Sequence, residues 1–393
     1  MDQEHLMKSR GRLGVLLVSV PVLAFALVGG YMDQAMARQD APPYQHLRIF
    51  GDVVELIVNN YVEEVKVDKV MQGAMHGLAD GLDPDSAYLD VNEVKVLDKK
   101  ESVAAGGTGL EITRQYYLRV IAARDRSAAA RAGLRPGDYI RAIDGQSTRD
   151  TTVYAGMRLL AGKPGTTVTL AVLRGNAAEP HRVELMREEL PAAPVRGRLV
   201  PEATGYLRIP EFGQATADQI RSEVVTLTKA GATRLVLDLR GTAFGEVESG
   251  LAAARLFVPS GTLAYRQERG KAKEPITASA GDGSITLPIA LLADNGTAGP
   301  AELFAAALTG NKRAAIIGER TLGRAARQRL VRLPDGSGLL LTHLFYLTPT
   351  EAVINEKGLP PDVAVEQPDV DFGQPAPTSD ATLDKAVEHL KGK

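Results

Sequence analysis

The sequence contains no cysteine. That excludes disulfides, Fe–S clusters, thiolate-bound zinc and a cysteine nucleophile, while an oxidising compartment is permitted without being required. Histidine is scarce, at six scattered residues, so neither a histidine metal centre nor any cofactor is expected. A surplus of one charge is also lacking: 46 Lys and Arg stand against 48 Asp and Glu, a net charge of −2. Nothing in that balance draws the chain to nucleic acid. No phosphate loop is present, because Gly162-Lys163-Pro164 lacks Walker A spacing. What remains is an ordinary globular composition, with 44% apolar and 24% charged residues. At about 150 residues per domain, 393 residues suffice for several domains with sizeable cores.

The start of the chain is unlike the rest. Lys8, Arg10 and Arg12 precede a stretch from Leu13 to Tyr31 without a charge, and Leu13–Val28 is nearly all apolar. A positive flank before an apolar run is the pattern of an export signal, and Ala35-Met36-Ala37 offers small residues for cleavage. The run is also long enough to act as a membrane anchor, with the N-terminus cytoplasmic. Either way, residues 1–37 place the body beyond the cytoplasmic membrane, in the periplasm if the cell is bacterial.

Four further segments follow. Residues 38–103 form a helical N-terminal segment: Phe50, Val53, Val54, Ile57, Val58 and Tyr61 share one helical face, and a second helix runs near Val67–Leu78. Leu82-Asp83-Pro84 then starts a turn. Residues 104–189 carry short strands, a helix ended by Gly133, a hairpin signal at Ile143-Asp144-Gly145, a helix at Thr152–Ala161 and a strand at Thr167–Arg174. Residues 190–368 alternate helices (Thr216–Lys229, Ser249–Phe257, Pro300–Leu308) with strands (Leu235–Leu239, Pro288–Ala293, Ala314–Gly318), which predicts an α/β core. Residues 369–393 are a Pro- and Asp-rich tail ending in a short helix at Asp380–Leu390. The fold class expected is multi-domain α/β with one β-rich module.

Several of these stretches carry a family resemblance. Ala132-Gly133-Leu134-Arg135-Pro136-Gly137-Asp138-Tyr139-Ile140, followed by Ile143-Asp144-Gly145, resembles a PDZ domain. Leu237-Asp238-Leu239-Arg240, Asn295-Gly296-Thr297-Ala298 through Glu302, Gly318-Glu319 with Thr321-Leu322-Gly323, and Gly358-Leu359-Pro360-Pro361-Asp362 resemble, in order, the core of the carboxy-terminal processing (tail-specific) serine proteases. Leu82-Asp83-Pro84 with Ser86 resembles their helical N-terminal segment.

The resemblance implies a serine nucleophile and a neutral lysine base, the lysine needing burial to give up its proton. This chain departs at both positions. The nucleophile position falls on Gly299, followed by Pro300, and the family's spacing carried on from there arrives at Arg324 without a gap. Glycine has nothing to attack with, and arginine stays protonated. Gln328 stands where the family's glutamine orients the lysine. The glycine pair that forms the oxyanion hole falls on Phe244 and Gly245, so bulk replaces one glycine. Thr297 reads as a turn or cap residue, with Lys312 and Lys357 as the only nearby candidate bases. None of Ser249, Ser260 or Ser337 sits in a Gly-x-Ser-x-Gly elbow to pair with His343.

The PDZ-like module shows no such damage. A PDZ groove takes a peptide as an extra strand and holds its terminal carboxylate on a glycine-containing loop. Gly107, Thr108 and Gly109 stand where that loop belongs, with Leu110 and Ile112 on one wall and Val153, Met157 and Leu160 on the other. The same residues could instead form the module's small core. The sequence therefore predicts an exported, non-hydrolysing relative of these proteases that binds peptide C-termini or a partner, such as an active family member or a second copy. The alternatives are a peptidase using unrecognised groups and a structural envelope protein.

Overall fold

The computed structural model describes residues 42–98, 106–368, 370–374 and 379–392. The apolar run at Leu13–Val28 lies outside them. They divide into two compact units, up to residue 75 and from residue 76. The first holds helix α1 (Pro42–Asn60) and the start of α2 (Val67–Asp80), both with one apolar face.

The second unit opens with strand β1 (Ala87–Leu89) and helix α3 (Val91–Asp98). The segment 38–103, expected to be helical, therefore also contains a strand. Asp83 accepts hydrogen bonds from the backbone N–H groups of Asp85 and Ser86 and from the Ser86 hydroxyl, closing a turn that turns the chain out of helix.

The PDZ module comprises β2 (Leu110–Gln115), β3 (Tyr117–Ala123), α4 (Ala128–Arg131), β4 (Tyr139–Ile143), β5 (Gln146–Ser147), α5 (Val153–Leu160), β6 (Thr167–Leu173) and β7 (His181–Met186). Its sheet runs β2-β3-β4-β6-β7, with β5 paired to β4. Asp144 and Gly145 both take positive φ, 48° and 79°, which is the turn that two-residue hairpins need. The Thr152 hydroxyl accepts from the Ala155 N–H and starts α5.

The core comprises β8 (Arg196–Val200), β9 (Thr204–Arg208), β10 (Glu211–Phe212), α6 (Thr216–Lys229), β11 (Arg234–Asp238), β12 (Phe244–Gly245), α7 (Val247–Ala254), β13 (Thr262–Glu268), β14 (Glu274–Thr277), β15 (Ile289–Ala293), α8 (Pro300–Gly310), β16 (Ala314–Gly318), β17 (Ala326–Arg332), β18 (Gly338–Leu347), β19 (Val363–Ala364) and α9 (Ala381–Lys391). The main sheet runs β19-β16-β15-β11-β9-β8 and is parallel except at β8. Both faces are covered, so its central strands are apolar throughout. Leu235 and Leu237 join the cluster with α6, α7 and α8, while Val236 faces the cluster built on α9. A second, antiparallel sheet runs β1-β18-β13-β14, with β17 on β18.

Candidate functional site

In a parallel sheet, the crevice beyond the carboxyl ends of the strands collects functional groups. Here three such ends lie together. The chain leaves β11 toward Phe244, β15 toward Gly299 and β16 toward Arg324.

Gly299 precedes the first turn of α8 at φ 59° and ψ −117°. Pro300 follows at the first helical position, where its missing N–H costs nothing. A Cβ placed on Gly299 would lie 3.7 Å from the Arg324 carbonyl oxygen, so these two positions are neighbours. What joins them is Glu302, which is fully buried. Its carboxylate accepts from the N–H groups of Gly299 (3.0 Å), Gly323 (2.6 Å) and Arg324 (2.7 Å), and from the Thr321 hydroxyl. Burial pushes the Glu302 pKa up, and the four donors pull it back only in part. The sequence offered a signal for this role: a glutamate three residues past a helix start is capping-box spacing.

Arg324 does not reach toward Gly299 with its side chain. The guanidinium Nε donates to Asp85 Oδ2 at 3.0 Å and Nη1 donates to Glu111 Oε1 at 2.5 Å, while Nη2 lies 2.8 Å from Asp85 Oδ1 without making a hydrogen bond to it. Burial opposes its charge, but the two carboxylates outweigh that and hold its pKa above the ordinary arginine value. Arg324 and Asp85 also line a polar cavity of about 770 Å³, along with Arg114, Arg119, Arg149 and Glu356. Neither carboxylate partner was singled out in the sequence. Gln328 stands in the β17–β18 ladder and donates to the hydroxyl of Thr342, which lines the same cavity, at 3.1 Å.

Phe244 and Gly245 pair in parallel with Glu211 and Phe212. Gly245 is required: at φ 110° its Cβ would fall 2.1 Å from the Phe212 carbonyl oxygen. The half-buried Phe244 packs with Ala243, Ala298 and Leu322, and also with Ile121 and Ala122 of the PDZ module. The Arg124 guanidinium, ion-paired with Glu211, lies 5.5 Å from its ring centre. The PDZ hairpin thus covers Ala298, next to Gly299.

The substitute groups are occupied or distant. Thr297 is fully buried and its hydroxyl donates to the Leu239 carbonyl at 2.9 Å, which makes it a turn residue, while the helix cap is Gly299. Lys312 lies just past the far end of α8, on the order of 17 Å along the helix from Gly299 at 1.5 Å per residue. Lys357 packs its backbone against Gly323 and exposes its side chain. The Ser337 hydroxyl donates to Asp335 at 2.6 Å.

The PDZ groove is a cavity of about 460 Å³ lined by Gly107, Thr108, Gly109, Leu110, Met157 and Leu160, joined by Tyr154, Arg158 and Leu190. Gly109 is fixed by a close approach: at φ 80° its Cβ would meet Ser127 Cβ at 2.2 Å. The buried Thr108 hydroxyl has no protein partner. Ile112 and Val153 do not line this cavity. They belong to the module's buried core, where Gly156 lets the helix sit directly on Ile112 and Leu118.

The described fold is therefore a three-layered α/β core with an adjoining PDZ module and a candidate site at the strand ends. Residues 203–365 match the model of peptidase family S41, and residues 119–174 match that of the PDZ domain. The chain is 32% identical over 293 residues to the carboxyl-terminal-processing protease of Synechocystis sp. (strain ATCC 27184 / PCC 6803 / Kazusa), covering 73% of this chain and 68% of that one. It is 29% identical over 360 residues to the carboxy-terminal-processing protease of Bartonella bacilliformis, covering 89% and 82%. Among solved structures it resembles the photosystem II D1 C-terminal processing protease, with a TM-score of 0.67, 26% identity, and 81% and 92% of the two chains covered. The chain belongs to the carboxy-terminal processing protease family, peptidase family S41, and carries that family's PDZ domain.

Proposed function

We propose that this chain does not hydrolyse peptides and instead captures peptide C-termini, or a partner's C-terminus, in its PDZ groove. The observation that carries this reading is the occupancy of the two catalytic positions. Gly299 supplies no nucleophile, and the Arg324 guanidinium is committed to Asp85 and Glu111. Losing a nucleophile alone costs on the order of 10⁴–10⁶ in rate in serine proteases. The groove retains what capture needs: an apolar floor at Leu110, Met157 and Leu160, and a glycine loop carrying the unpartnered Thr108 hydroxyl.

The remaining parts of the proposal rest on sequence. Residues 1–37 export the chain or anchor it to the membrane, which sets the body on the outer side of the cytoplasmic membrane, in a bacterial periplasm. Among the described residues no helix is long and apolar enough to cross a membrane. An active relative or a second copy is the partner class we favour.

The test is incubation of the purified protein with a peptide library bearing free or amidated C-termini, with retention and cleavage both followed by mass spectrometry. Retention that requires the free carboxylate, without new fragments, is the expected result. New fragments that survive purification controls would overturn the reading in favour of a working peptidase. The absence of both retention and cleavage would overturn it in favour of a structural envelope role.

A further inference from the structure

We infer that Arg324 is a latch: the position its family uses for proton transfer here ties the PDZ module and the segment around Asp85 to the protease core. Three separate parts of the chain meet at one guanidinium. Asp85 lies just before strand β1, Glu111 lies in the first PDZ strand, and Arg324 follows β16 in the core. Asp85 and Glu111 are 239 and 213 residues away from Arg324 in sequence, so nothing local forces them together. The side chains of Arg324, Asp85 and Glu111 are 26%, 13% and 19% exposed, which limits competition from water.

The geometry is specific to arginine. A planar fork presents donors in two directions: Nε donates to Asp85 Oδ2 and Nη1 to Glu111 Oε1, while Nη2 stays 2.8 Å from Asp85 Oδ1 as an ion-pair contact. A lysine ammonium is a point charge and cannot reproduce that fork. The fork also hangs from a fixed support, because the Arg324 N–H is bound to the buried Glu302. On the PDZ side, Glu111 stands directly across from Ala122 in the β2–β3 pairing. One rung of that hairpin therefore holds Arg324 through Glu111 and packs near Ala298 through Ala122. Arg208 adds a second tie farther along, with 2.8 and 3.1 Å contacts to Asp125.

The experiment is hydrogen–deuterium exchange on the full-length protein, comparing wild type with Arg324→Lys, Arg324→Met and Glu111→Gln. Residues 83–89 and 110–123 are the reporters, and helix Pro300–Gly310 is the internal control. The latch predicts that both Arg324 variants speed exchange in both reporter segments, and Glu111→Gln in residues 110–123, by on the order of tenfold while the control keeps its protection. It further predicts that Arg324→Met combined with Glu111→Gln loosens the PDZ reporter no more than the stronger single change. Unchanged exchange in Arg324→Lys overturns the inference, as does an equal increase across the reporters and the control. Should an Arg324 variant fail to fold, the Glu111→Gln protein decides by the same readout, since it keeps the shape and removes the charge. None of these outcomes depends on whether the groove binds peptide.

Discussion

Gly299 sits at φ 59° and ψ −117°, where a residue with a Cβ is strained. The space itself is open, so the penalty for a side chain there is conformational and not steric. Gly299→Ser is expected to lower stability by about 1–2 kcal/mol, read from urea unfolding at constant m-value. It is expected to give no hydrolysis, because Arg324 still offers no base. Adding Arg324→Lys and Phe244→Gly should bring at most weak cleavage of a fluorogenic peptide, held down by Pro300 and by Asp85 and Glu111, which favour a charged lysine; robust cleavage by the unmodified protein would mean the positions are wrongly placed. That positions 299 and 324 would be neighbours was legible because each lies within a short stretch whose spacing is kept. What surrounds them was less so. Glu302 was visible as a residue, but its four donors come from a loop about twenty residues on and from the turn before it.

Among elements, the best example is the last helix. Asp380 caps Ala381–Lys391 by accepting from the Leu383 N–H, and it pairs with Arg240 at 2.8 and 2.9 Å. Burial resists its charge, but the Arg240 guanidinium and the cap outweigh it and hold its pKa below the ordinary 3.8. A depressed carboxylate stabilises the fold above its unfolded pKa, and loses that contribution as pH falls through its folded value. Asp380→Ala should therefore cost about 1–2 kcal/mol near neutral pH. The gap to wild type should close progressively below about pH 4. A gap that stays constant in denaturant titrations down to pH 2 would show that the carboxylate charge plays no part. Helices such as this one were legible because cap, apolar face and length agree. The antiparallel strands were less legible. Ala326–Arg332 contains Arg327, Gln328 and Arg329 in succession, a polar run whose strand form comes from its partner, Gly338–Leu347.

For the whole molecule, the order of the modules was readable from the sequence, since motifs in a fixed succession specify an architecture. The contacts that join modules were not, because partners such as Arg324 and Glu111 leave no shared local pattern. The same limit explains Ile112 and Val153: alternation marks them as inward-facing, and only packing distinguishes the module's core from its groove. If the groove binds peptide, Met157→Glu should weaken capture more than tenfold, by placing a carboxylate where the peptide would lie. Stability should change by no more than about 1 kcal/mol, because Met157 is only half-buried. Fluorescence polarisation with a labelled free-carboxylate peptide measures the first and thermal melting the second. Equal affinity in the variant would move the binding surface elsewhere.

Strand Ala87–Leu89 pairs with Gly338–Leu340, and the Ser86 hydroxyl accepts from the Thr342 N–H, 256 residues later. This strand, the earliest among the described residues, therefore has no partner until residues 338–340 are made. The PDZ module in between draws most of its pairing from within residues 110–186 and can close first. Asp85 waits in the same way for Arg324. In time, then, residues 85–89 are seated only after the PDZ module that follows them, and a premature stop before residue 338 would leave them without their sheet.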